Sequence, residues 1–201
     1  MLFTKTQTKL MTFFVSRITQ RFSLREAARE LGMHQALAYR ASQPLIKAGL
    51  LLAGKKDYSL NYKENHQELA FFEHVRSKEL LEKPENQALA MFAEDAIERL
   101  PYGCFSLIVF GSVVTSRKPR DIDILLVIER TSDMEPAERA LHNISRNHQL
   151  NNIHAIVVPF ESVLEMVGSR DEANVMNLLL DQHLILYGAE LFYKLVKRGR
   201  K

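Results

Sequence analysis

Apolar residues recur at Leu10, Phe13, Phe14 and Ile18, the spacing of one helical face, and predict a first helix over 4–19. Ser23 followed by Glu26 is a capping-box signature, and Ala27, Ala28 and Leu31 give a second helix its inward face. Gly32 ends that helix, because a tight exit turn needs left-handed backbone. Met33 returns to the core, and a third helix is expected over about 34–43, with Leu45, Ile46 and Leu50 continuing its apolar face. Pro44 stands where that helix would continue. Proline has no N–H and crowds the preceding turn, so a kink or break is expected there.

Beyond the polar stretch 61–67 the pattern predicts two amphipathic helices, 69–81 and 87–100, joined by a turn at 82–86. The period then changes. Short apolar runs at 105–110, 122–128 and 153–158, the last ended by Pro159, read as buried strands, and 184–187 as a shorter one. Helices are expected over 136–147, 161–167, 172–181 and 189–198. This is an α+β pattern with a small sheet. It divides into domains 1–66 and 67–201, the second with two leading helices. Phe71, Phe72 and Phe92 are expected in the core, and the basic tail 197–201 is expected to fray.

At 201 residues, 46% hydrophobic and 25% charged, the chain reads as an ordinary globular protein of one medium or two small domains. Its single cysteine, Cys104, excludes an internal disulfide framework and zinc-site spacing, and is expected to pack as a small hydrophobe at a strand entry. The start lacks the pattern of a signal peptide, and no apolar run approaches the ~20 residues of a membrane span, so a cytoplasmic location is the default. His142 and His148 are expected on the surface. The net charge of +3 hides an asymmetry: residues 1–66 carry 11 Lys/Arg against 4 Asp/Glu, whereas 67–201 carry 16 against 20. A basic half joined to an acidic one suggests that the first half meets a polyanion.

The run SLREAARELGMHQALAYRASQPLIKAGLL resembles, without a gap, the helix-turn-helix of winged-helix regulators. The likeness lies in the Ala27-Ala28 pair, Leu31-Gly32-Met33 at the turn, Ala38 inside the third helix, and Leu45 with Gly49-Leu50 before the wing. It implies that the third helix enters the major groove of double-stranded DNA, with His34, Gln35, Tyr39, Arg40 and Gln43 facing it. Segments 50–53 and 57–61 would be wing strands, and Lys55 and Lys56 at the tip would meet phosphates. Many winged helices pair as homodimers, so a palindromic or repeated site is expected.

Candidate chemistry concentrates in LIVFGSVVTSRKPRDIDILLVIE. Gly111-Ser112 ends a buried strand, and glycine lets backbone approach a ligand closely. Ser112 offers a hydroxyl and backbone N–H groups at a helix start, suited to phosphate. Arg117, Lys118 and Arg120 follow, and Asp121 and Asp123 open the next strand. Side chains two apart share a face at about 7 Å, and two carboxylates so placed can hold Mg²⁺. Gly-Ser at one strand end with Asp-hydrophobic-Asp on the next resembles the DNA polymerase beta-like nucleotidyltransferase superfamily, over about 105–193, including the closing LILYGAELFYKLV. That resemblance implies a small mixed-sheet domain with flanking helices. It would bind a nucleoside triphosphate with Mg²⁺ or Mn²⁺ and move a nucleoside monophosphate onto a hydroxyl. Gly111 and Ser112 would hold the triphosphate, and Asp121 and Asp123 the metal.

The chain departs from the family in three ways. The loop after Ser112 is slightly short, it lacks Arg-x-x-Gly, and the strand at 152–158 has no third carboxylate. Asn152 or His154 stands in that place; Glu161 lies beyond Pro159, and Glu129, on the Asp121 face, is about 20 Å along the strand, too far to share a metal. A neutral His154 could ligate a metal or act as a base; the simpler expectation is triphosphate binding with slow or absent transfer. Three roles follow: a nucleotidyltransferase brought to DNA, with a protein or RNA acceptor unspecified; a transcriptional regulator whose nucleotidyltransferase fold is inactive; or an antitoxin-like or toxin-like module.

Overall fold

Thr4 and Ser23 each start a helix with a reciprocal cap. The Thr4 hydroxyl accepts from the Gln7 N–H at 3.2 Å, and Gln7 accepts from the Thr4 N–H at 2.8 Å. Ser23 and Glu26 repeat the exchange at 3.2 and 2.8 Å. Each such cap contributes about 1 kcal/mol. They open α1 (Lys5–Val15) and α2 (Leu24–Glu30). This computed structural model describes residues 2–115, 121–150, 152–169 and 174–200. Arg117, Lys118 and Arg120, and the start of the expected helix 172–181, lie outside the described residues.

α3 runs unbroken over Gln35–Lys47 with Pro44 inside it, which corrects the expected break and shortening at Pro44. Pro44 is exposed, and the buried side chains Ala38, Ala41, Ser42 and Leu45 hold the helix on both sides of it. Packing of that face outweighs the one in-helix hydrogen bond that proline removes. β2 (Leu51–Ala53) and β3 (Tyr58–Leu60) form a hairpin, and β1 (Arg21–Phe22) pairs with β3, giving an antiparallel sheet ordered β1-β3-β2. At two residues, β1 is too short to leave an alternation signal in the sequence.

α4 (His66–Leu81) and α5 (Gln87–Arg99) lead into a four-stranded sheet. It comprises β4 (Phe105–Phe110), β5 (Ile122–Ile128), β6 (Ile153–Pro159) and β7 (His183–Tyr187), ordered β6-β5-β4-β7. β5 and β6 are parallel; the other pairs are antiparallel. One face, with Ile108, Phe110, Leu125, Val127, Val158 and Ile185, packs under α4, α8 (Phe160–Gly168), α9 (Val175–Leu179) and α10 (Ala189–Gly199). The other, with Leu107, Val109, Ile124, Leu126 and Val157, packs under α5 and α7 (Met134–Asn147). β4 and β5 are covered on both faces, which is why their apolar runs are continuous rather than alternating. The short α6 (Ser112–Thr115) follows β4. Among the described residues no helix is long and apolar enough to cross a membrane.

The first core does not stop at α4. Leu10, Phe14, Leu45 and Leu60 belong to the same cluster as Leu69, Phe72, Phe192 and Tyr193. Polar ties join the same parts. The Ile18 N–H donates to the Leu180 carbonyl at 2.8 Å, and Thr19 donates its N–H and hydroxyl to the two oxygens of Asp181 at 3.1 and 2.8 Å. Phe71 is 47% exposed, against the expectation that it is core. One residue from Phe72, it turns about 100° away from the apolar face, and Phe3 stacks on it at 6.0 Å. Cys104 is likewise exposed rather than packed, and its thiol lies just ahead of β4. His148 is nearly buried rather than superficial, with Nε2 2.9 Å from Asp95 Oδ2, linking α7 to α5.

A buried polar knot joins α4, β7 and α10. Glu73 Oε1 accepts from the Tyr193 hydroxyl at 2.9 Å and lies 3.0 Å from His183 Nε2. Its Oε2 accepts from Arg76 Nη1 at 2.6 Å, and Arg76 Nη2 donates to the His183 carbonyl at 2.6 Å. His183 Nδ1 lies 2.6 Å from the Leu179 carbonyl, which can only accept, so that nitrogen carries a proton. Burial pushes the Glu73 carboxyl upward, but Arg76, His183 and the Tyr193 hydroxyl outweigh it and hold it below the ordinary value. Burial, then the Glu73 charge, push the Tyr193 phenol well up.

Candidate functional site

β4 delivers its last residue, Phe110, opposite Asp123 of β5. Gly111 then turns the chain with φ +71°, left-handed backbone that disfavours any side chain, and α6 starts at Ser112. A Cβ on Gly111 would overlap Oδ2 of Asp123, so turn and carboxylate are in direct apposition. The Ser112 hydroxyl donates to the Asp121 carbonyl at 3.1 Å, tying the turn to the entry of β5. Asp121 is exposed and Asp123 half-buried, and neither forms a salt bridge with a described residue.

β6 adds His154 to this edge. His154 is the register partner of Asp123 on the adjacent parallel strand, so both point to one face, with strands about 4.8 Å apart. The row across the sheet reads His154, Asp123, Phe110, His183. His154 is exposed, unlike His183. Among the described residues, no three His, Cys, Asp or Glu side chains are grouped closely enough to hold a metal ion. Two carboxylates alone leave most positions around a divalent cation to a ligand's oxygens and to water. Glu129 lies beyond the far end of β5, away from Asp121. A cleft of about 380 Å³ between α1, α2 and α4 reaches Val114 of α6 behind this turn.

In the N-terminal part, α3 buries Ala38, Ala41, Ser42 and Leu45. At 100° per residue, Ala36, Arg40, Gln43 and Lys47 form the opposite, exposed stripe. Gln35 and Tyr39 are exposed on its flanks. His34 is the N-cap, its Nδ1 accepting from the Ala36 N–H at 3.3 Å, so only its Nε2 edge is left to meet a ligand. Lys55 and Lys56 are exposed at the hairpin tip, closed by the Gly54 N–H bond to the Asp57 carbonyl at 2.7 Å. Two features were not anticipated. Lys47 extends the outward stripe, a placement that the spacing 36-40-43-47 contains once the helix is known to pass Pro44. Arg25 and Arg29, four apart on α2, are both exposed. Comparison of the chain with protein-family models, with curated proteins and with solved structures finds no match.

Proposed function

We propose that the chain is a DNA-binding protein whose N-terminal part is a winged helix-turn-helix and whose C-terminal part is a nucleotidyltransferase-like domain that takes up a nucleoside triphosphate with Mg²⁺ or Mn²⁺. The observation that carries the second half is the apposition of Gly111 and Asp123, with Ser112 tied to Asp121. Asp121 and Asp123 would hold the cation, with phosphate oxygens and water filling its remaining positions. The cation would supply charge neutralisation at the triphosphate. Gly111, having no side chain, lets the Asp123 carboxylate close against the turn, and the Ser112 backbone N–H, with its hydroxyl if released from the Asp121 carbonyl, would orient the phosphate beside it. The DNA half rests on the outward stripe of α3, on Lys55 and Lys56, and on the net +7 of residues 1–66.

Transfer is the step for which the chain is poorly equipped. The position beside Asp123 carries an imidazole where a third carboxylate would complete a second cation site. This favours a regulator that binds nucleotide and turns it over slowly or not at all. The deciding experiment incubates the full chain with each labelled triphosphate plus Mg²⁺ or Mn²⁺ and asks whether label enters protein, RNA or DNA. Retention without transfer supports the regulator; rapid transfer abolished by His154→Ala makes His154 catalytic. No retention of any triphosphate refutes the nucleotide reading.

A further inference from the structure

α10 crosses α4 in the antiparallel sense. Ala70 of α4 borders the same hollow as Glu190, Leu191 and Lys194, whereas His66, one turn earlier, stacks on Tyr193 with ring centroids 6.4 Å apart. The last turn of α10 therefore runs past the start of α4, toward the segment returning from the hairpin. That segment is fastened to the end of α3: Asn65 Nδ2 donates to the Ala48 and Gly49 carbonyls at 3.4 and 3.0 Å. Lys197 is near enough to His66 that, after burial, its charge and that of Lys194 hold the imidazole below the ordinary histidine range. Lys47 and Lys63 lie within two residues of this fastening in sequence, and Lys197 and Arg198 end α10 beside the start of α4. All four are exposed, and none forms a salt bridge with a described residue; Glu64, also exposed there, removes one charge. Lys194 is paired with Glu190 at 2.6 Å and adds little.

The charge distribution points the same way. Residues 67–196 carry 12 Lys/Arg against 20 Asp/Glu, a net of −8, yet the final five residues hold four cations. An acidic body concentrates cations where its chain returns to the basic part. The outward stripe of α3 runs from Arg40 to Lys47, one residue before the Ala48 carbonyl to which Asn65 is fastened.

We propose that the last turn of α10, through Lys197 and Arg198, belongs to the nucleic-acid face and meets duplex phosphates beyond those reached by α3 and the hairpin tip. This rests on the DNA reading above. Phosphate contacts position a protein without reading sequence, and each one lost lowers the salt dependence of binding by roughly one unit of slope.

The test titrates a fluorescent duplex of random sequence with the full chain over a range of salt concentrations. Four proteins are compared: wild type, Lys55→Ala with Lys56→Ala, Lys197→Ala with Arg198→Ala, and the charge-preserving Lys197→Arg with Arg198→Lys. Both alanine pairs should flatten the plot of log affinity against log salt by up to about two, while the charge-preserving pair tracks wild type. All four should melt alike, since the changed side chains are exposed. If the α10 pair keeps the wild-type slope while the tip pair flattens it, α10 is not on the face and the proposal falls while the DNA reading stands. If wild type binds no duplex at low salt, both fall. Tighter binding to single-stranded RNA than to duplex overturns the duplex as partner.

Discussion

Gly111 and Asp123 approach so closely that no side chain fits between them. Alanine at 111 would have to hold φ +71° and displace the carboxylate at once. Gly111→Ala should therefore lower stability by about 1–3 kcal/mol and also weaken triphosphate uptake, because the displaced group is a proposed cation ligand. Denaturant melts with and without Mg-triphosphate separate the two effects. A variant as stable as wild type would show that the turn tolerates a side chain.

Asp121→Asn with Asp123→Asn tests the cation directly. A ligand at a hundred times its Kd adds about 2.7 kcal/mol to a fold that takes it up only when native. For a chain of this size that is a rise of about 5–10 °C in Tm. Wild type should show such a rise with Mg-triphosphate and the double variant none. Equal rises would make the two carboxylates structural.

His154→Asp asks whether the missing carboxylate is the defect. Placed in register with Asp123, an aspartate there completes a three-carboxylate edge. Transfer of label from triphosphate should increase over wild type. An unchanged rate would show that the missing carboxylate is not what limits transfer.

Glu73 gives stability a pH dependence. Its carboxyl is held below the ordinary 4.5 when folded, so the native state favours the ionised form more than the unfolded chain does. The resulting stabilisation is complete above about pH 4.5 and disappears as pH falls through the lower folded value. Glu73→Gln should remove this acid-side slope. Glu73→Ala should cost about 3–5 kcal/mol, because Arg76 is left buried without its partner. Parallel acid titrations of wild type and Glu73→Gln would refute the assignment.

Pro44 sits exposed inside the continuous helix α3. Pro44→Ala restores the hydrogen bond to the Arg40 carbonyl and should stabilise the fold by up to about 3 kcal/mol. A loss of stability would mean that the proline holds the helix in a conformation that its neighbours require.

What could be read in the chain follows from which signals are local. Ser23 with Glu26, and the uninterrupted apolar run from Phe105 to Phe110, are produced by neighbours in sequence, so cap and strand could be placed without coordinates. That Asp121 and Asp123 share a face is an expectation of strand period alone, and β5 itself begins only at Ile122, between them. Pairing is different. That β6 lies parallel to β5 with His154 against Asp123 depends on register set by packing over 30 residues away. The knot of Glu73, His183 and Tyr193 spans 120 residues and left one trace, a glutamate four residues after Leu69 on an apolar helix face. The helix-breaking preference of Pro44 is local, whereas the burial of Ala41 and Leu45 that overrides it is set by packing and leaves no signal at the proline itself.

The uninterrupted cluster from Phe14 to Tyr193 has a bearing on how the molecule comes apart. With Leu69 and Phe72 shared by both ends, the N-terminal end has no interior separate from that of the C-terminal end, whereas the second core under α5 and α7 belongs to the C-terminal end alone, so loss of the shared cluster should take both ends down together. A cut between β3 and α4 would leave two pieces with bare apolar faces, prone to aggregate rather than to work alone. Whatever occupies one end should then raise the resistance of the other to heat and proteolysis.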